Sequence, residues 1–192
     1  MSKGRLEAFS DGVFAILITI MVLELHAPEG ATFEALKPLL PKFISYVLSF
    51  TYVAIYWNNH HHLLQSVNHV NGKVLWSNMV LLFCISLIPF VTAWMGENHF
   101  SASPVALYGF VLLMAALSYP LLLRALIKLH GKDSLLAKSI GRDVKGKISI
   151  LLYVAGILIS YYNSMISLSL YFLVAGIWFI PDKRIEKRID NK

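Results

Sequence analysis

The 192-residue sequence holds one cysteine, Cys84, and that residue lies inside an apolar run, so no disulfide framework or CxxC metal site can be drawn. Charge is scarce: Asp, Glu, Lys and Arg make up 15% of the chain, where soluble domains carry about a quarter. No hydrophilic domain, low-complexity tract or clear internal repeat interrupts the sequence, and neither HExxH nor another strong ligand spacing occurs. No nucleophile with a base and no catalytic carboxylate pair supports an enzyme. The 17 basic and 11 acidic residues leave a formal charge of +6. The basic residues flank apolar segments, which points to membrane topology and away from nucleic acid.

What is abundant is apolar: 57% of the residues are hydrophobic. A membrane-crossing helix needs about 20 mostly apolar residues, and six stretches supply them, at about 8–25, 41–62, 74–95, 104–127, 147–162 and 166–181. The expected fold is therefore all-α, a single polytopic domain of six transmembrane helices spanning 1–192. "YYNSMIS" joins the last two stretches without charge, as a tight hairpin would, and Pro89 and Pro120 are candidate breaks in the third and fourth. Lys3 and Arg5 ahead of the first run resemble the start of a secretory signal. Glu7 and Asp11 interrupt that start and no small-x-small site precedes "HAPEG", so a retained helix is expected.

The distribution of lysine and arginine orients the chain, because basic loops stay cytoplasmic. With both termini inside, every basic residue except Lys37 and Lys42 lies on the inner side, and Glu29, Glu34 and Glu97 join those two outside. The expected location is the cell membrane. The longest loop, "LHGKDSLLAKSIGRDVKGK", is topogenic, and lipid is the partner it can touch, at about 1 kcal/mol per basic residue near an anionic surface.

On the first helix, Ile16, Ile20 and Leu23 fall at i, i+4 and i+7 and make one stripe, with Thr19 beside it. Periodicity alone leaves ordinary packing and a pore lining both open. The entrance carries more information: Arg5 and Asp11 sit near the inner interface, where a buried ion costs several kcal/mol unless paired. The end of the second stretch, "YWNNHHHLLQ", arrives at the same depth, and Trp57, Asn58, His60, His61 and His62 can donate to Asp11 or stack on Arg5. Consecutive histidines on a helix point about 100° apart and do not chelate one ion together, so a hydrogen-bonded network is expected there and no metal. Trp76, Trp94, Tyr161, Tyr162 and Trp178, near span ends, are candidate interface anchors.

Arg5, Phe9, Ser10 and Asp11 form RxxxFSD, and with "GVFAILITIMVLEL" and the later "YWNNHH" the chain resembles prokaryotic members of the transmembrane protein 175 potassium channel family along essentially its whole length. The resemblance implies a homotetramer of six-span subunits whose first helices surround a cation pathway, with K⁺ as the permeant ion and no cofactor. It further implies a constriction at Ile16, Ile20 and Leu23, a selectivity-linked hydroxyl at Thr19, and a structural network of Arg5, Phe9, Ser10 and Asp11 with Trp57 and the histidines. The TVGYG filter of ordinary potassium channels is absent. Ile20 departs from the leucine common at its position. Glu24 and Glu29 stand near the outer mouth, where they would concentrate cations or serve as plain solvated charges. The competing readings are a secondary cation or proton-coupled transporter, which usually shows paired repeats and broken helices, and a haem or metal protein using His60–His62.

Overall fold

The computed structural model describes residues 2–131, 133–134, 136–137 and 143–179. Much of the basic loop and the basic residues from Lys183 onward therefore lie outside the described residues, as do the last two positions of the sixth stretch. Among the described residues the long elements are all helical: α1 (Lys3–Leu23), α2 (Leu40–Gln65), α3 (Gly72–Ser86), α4 (Ile88–Glu97), α5 (Ala102–His130), α6 (Val144–Ile159) and α7 (Ser164–Phe179). A short 3₁₀ turn, Phe33–Leu39, leads into α2. Four helical bodies among the described residues are long and apolar enough to cross a membrane: α1, α2 with its 3₁₀ lead, α3 with α4, and α5. The remaining two, at 16 residues each, rise about 24 Å.

Helix α1 begins earlier than the apolar run, because Lys3, Arg5, Leu6 and Glu7 are good helix formers that carry Gly4 along and Lys3 pairs with Glu7 one turn on, at 3.4 Å. The third stretch is broken at Leu87, where Pro89 in the first turn of α4 has no N–H to continue the ladder. Pro120 instead lies within an unbroken α5. The carbonyl of Ala116, four residues earlier, loses its usual donor there, and both residues border a cavity of about 50 Å³ walled by Tyr52, Tyr56, Tyr119 and Tyr153. Asn71 caps α3 by accepting from the Val74 N–H at 3.0 Å, and Asp143 caps α6 through the Gly146 N–H at 2.8 Å.

Helix α5 is the central post, packed against α3, α4, α6 and α7. Tyr171 of α7 lies across Gly109 of α5 and Gly156 of α6, in space that a Cβ at either glycine would invade, and its hydroxyl donates to the Val105 carbonyl at 3.3 Å. Ser49, Thr92 and Tyr108 join hydroxyls at 2.6 and 2.9 Å where α2, α4 and α5 meet. Each buried hydroxyl thereby has a partner in a medium without water. Helix α1 stands at the side of this bundle, against α2, α4 and α3, with one flank uncovered.

Candidate functional site

The site is α1 and the residues that hold it. Leu6, Ser10, Phe14, Leu17 and Met21 recur at intervals of three and four and form the buried stripe. Leu17 is 4% exposed and Met21 2%, whereas Ile16, Ile20 and Leu23 are 59%, 42% and 68% exposed. The aliphatic stripe read in the sequence is thus turned away from the subunit's own helices, and Thr19 and Phe9 are also exposed. The Thr19 hydroxyl donates to the Ala15 carbonyl at 3.0 Å, so its proton is engaged and its remaining lone-pair capacity faces outward.

Two clasps fix α1 in its N-terminal half. In the first, the Trp57 indole N–H donates to Asp11 Oδ1 at 3.0 Å and His61 stacks on Trp57, with ring centroids 5.8 Å apart and planes 21° apart. In the second, which is buried, His60 Nε2 lies 2.7 Å from Asn78 Oδ1, Asn78 Nδ2 donates to Ser10 Oγ at 3.0 Å, and Ser10 donates to the Leu6 carbonyl at 2.8 Å. The directions follow in sequence. Ser10 spends its only proton on Leu6, so it must accept from the amide, which turns the Asn78 oxygen to His60 and requires His60 Nε2 to carry a proton. Phe14 packs its ring 5.7 Å from that imidazole. The C-terminal end of α1 abuts a second junction, where Lys42 of α2 and Glu97 of α4 pair at 2.9 Å beside Met21 and Glu24.

The sequence puts the network's weight on Arg5 and Asp11, as charges needing partners. Asp11 has one in Trp57, but it remains exposed, as does Arg5, which makes no hydrogen bond or ion pair with any described residue. The reason is angular: Leu6 and Ser10 take the core-facing positions of the first turns, which turns Arg5 and Asp11 toward the flanks. The three histidines separate accordingly. His60 enters the buried clasp, His61 stacks on Trp57 and bonds Gln65 at 2.8 Å, and His62 Nδ1 is buried without a hydrogen-bond partner among the described residues. Asn78 was missed by sequence reasoning, although an amide inside the apolar run "SNMVLLFCIS" is a signal that a polar contact waits at that depth. Among the described residues no group of three or more His, Cys, Asp or Glu side chains is placed to hold a metal ion.

If the Trp57 clasp is a hydrogen bond and not a charge effect, Trp57→Phe lowers the melting temperature of the purified protein by a few degrees, consistent with about 1 kcal/mol for a partly exposed bond. Asp11→Asn, which keeps the accepting oxygen, stays near wild type. Equal losses in both variants would assign the effect to the carboxylate charge.

Membrane-length helices around a buried hydroxyl and amide framework, with one helix carrying an open aliphatic stripe, define a polytopic helical membrane protein. The sequence pattern of the endosomal/lysosomal potassium channel TMEM175 matches residues 5–89, which contain both clasps. A potassium channel of Chryseobacterium sp. (strain P1-3) is 54% identical over 189 residues, covering 98% of each chain. The endosomal/lysosomal proton channel TMEM175 of Homo sapiens is 30% identical over 116 residues, or 54% of this chain and 23% of the human one. The crystal structure of a lysosomal potassium-selective channel TMEM175 homolog from Chamaesiphon minutus superposes with a TM-score of 0.76 at 27% identity, over 93% of this chain and 96% of that one. The chain belongs to the TMEM175 family.

Proposed function

We propose that the chain is one subunit of a potassium-permeable channel, a homotetramer in the cell membrane in which four copies of α1 surround the ion pathway. The observation that carries this reading is the open face of α1, where Ile16, Ile20 and Leu23 are exposed beside Thr19 while the same helix buries Leu17 and Met21. The full-length likeness to a potassium channel at 54% identity supports the choice of ion. The order of four follows the family resemblance. A ring of aliphatic side chains resists a hydrated cation because methyl groups offer nothing in exchange for water, so the constriction gates by dewetting and passes K⁺ with modest preference over Na⁺. Thr19, its proton already bonded to Ala15, contributes an oxygen to the passing ion. Movement down a gradient requires no covalent step and no cofactor.

The reversal potential of reconstituted protein under opposed KCl and NaCl gradients tests this reading. A reversal displaced toward the K⁺ equilibrium potential, with flux that does not saturate, is expected. Saturable, ion-coupled flux would instead indicate a secondary transporter, and no current at all would end the channel reading.

The topology has its own test. Cysteines at positions 30 and 98 should react with an impermeant reagent applied to intact cells, and those at 70, 135 and 190 should not, following the bias of basic residues. Positions 135 and 190 lie outside the described residues. Background from the native thiol is low because Cys84 is buried. Labelling at position 70 from outside would invert the chain and place the Arg5–Asp11 end on the opposite face.

A further inference from the structure

A second histidine pair lies away from α1. His69, in the segment between α2 and α3, and His130, the last residue of α5, bring their ring centroids within 4.6 Å at an interplanar angle of 47°. The His130 Nδ1 lies 3.0 Å from the Leu126 carbonyl and must donate to it. In the neutral imidazole that leaves Nε2 as a bare lone pair, and this atom is buried with no hydrogen-bond partner among the described residues. A buried acceptor left unpaired is costly, and the usual remedies are water, a donor or an ion.

We propose that His69 and His130 form a binding site for a late first-row divalent cation such as Zn²⁺, bridging the α2–α3 corner to the end of α5. The chemistry fits in three respects. A metal-bound histidine commonly donates its other ring nitrogen to a carbonyl, which fixes the tautomer and aims the lone pair, and Leu126 does this for His130. Two imidazoles bound to one ion through bonds of about 2.1 Å hold their ring centroids about 4.6 Å apart at a right angle and about 5.3 Å apart at the tetrahedral angle, so the 4.6 Å found here suits a cis pair and needs a small opening for a tetrahedral one. Imidazole is also a preferred ligand of zinc, nickel and copper and a poor one for magnesium or calcium. Water completes the coordination, so the site is a weak, exchangeable one of micromolar affinity and not a structural zinc centre. His69 is exposed, which gives the ion its route in. The site does not depend on the channel reading, since it uses no residue of α1 or its clasps.

Zn²⁺ titrated calorimetrically into chelator-treated, detergent-purified full-length protein tests the proposal. One Zn²⁺ per subunit with micromolar Kd is expected, together with a rise in melting temperature as the corner is tied to α5. His69→Ala, a change on an exposed segment, should weaken binding at least tenfold and abolish the thermal shift. His130→Ala should do the same. His61→Gln combined with His62→Gln controls for the other histidine run and should leave binding unchanged. Unaltered affinity in His69→Ala or in a folded His130→Ala, loss confined to the His61 and His62 variant, or no binding below about 1 mM would each overturn the site.

Discussion

Asn78→Leu should cost about 2–4 kcal/mol of stability and be read first as a loss of folded protein. An interhelical hydrogen bond in a membrane is itself worth only about 0.6 kcal/mol on average, so two average bonds, about 1.2 kcal/mol together, fall short of the whole effect. The larger part is the imidazole left behind. His60 is 1% exposed and its Nε2 proton has Asn78 as its partner among the described residues, so removing the amide strands a buried donor at about 1–3 kcal/mol. Ser10 fares better, because it still donates to Leu6. The asymmetry yields a specific test: in a double-mutant cycle, His60→Phe combined with Asn78→Leu should recover most of the loss, since replacing both partners by apolar groups removes the stranded donor. Additive losses in the double variant, measured by unfolding in mixed micelles, would mean that packing volume and not hydrogen bonding holds α1 to α2 and α3.

The contrast between Asn78 and the stripe marks what the sequence reveals. Lipid allows few polar groups, so apolar runs of membrane length are readable without any partner being known, whereas a missing N–H does not by itself tell Pro89, just past the break at Leu87, from Pro120, which lies within the unbroken α5. The buried clasp was not readable in the same way. Ser10, His60 and Asn78 stand on three helices, and their meeting depends on relative depth and rotation, which a single sequence does not encode. The two faces of α1 posed a harder problem. Leu17 and Met21 on one face and Ile16, Ile20 and Leu23 on another are alike in hydrophobicity, so only the packing of α2, α3 and α4 separates the covered stripe from the open one. Arg5 and Asp11 show the converse. Their charge marks them in the sequence, yet uncharged Ser10 beside Asp11 is the group that enters the core.

Ile16→Asn should raise K⁺ flux about tenfold or more while its preference over Na⁺ falls, with little change in the stability of the assembly. The sign follows from which side the open face meets. In a ring of four subunits the change places four amides around the constriction, and each can hydrate a cation that methyl groups repel, lowering the barrier by 1.4 kcal/mol or more for a tenfold gain. If the stripe meets lipid or a neighbouring helix instead, the same amide is buried without partners, and the protein is lost without new current. Ile20→Asn and Leu23→Asn should act in the same direction and less strongly, because Ile16 lies farthest from the C-terminal end of the helix. Ile18→Asn supplies the control: Ile18 lies about 200° around the helix from Ile16 and packs, half-buried, against the subunit core, so its amide should lower protein yield and leave conductance per molecule unchanged. Single-channel recording together with size-exclusion yield separates these outcomes. Three stripe variants that fold, assemble and conduct like wild type would remove α1 from the ion pathway even if the protein carries K⁺ current.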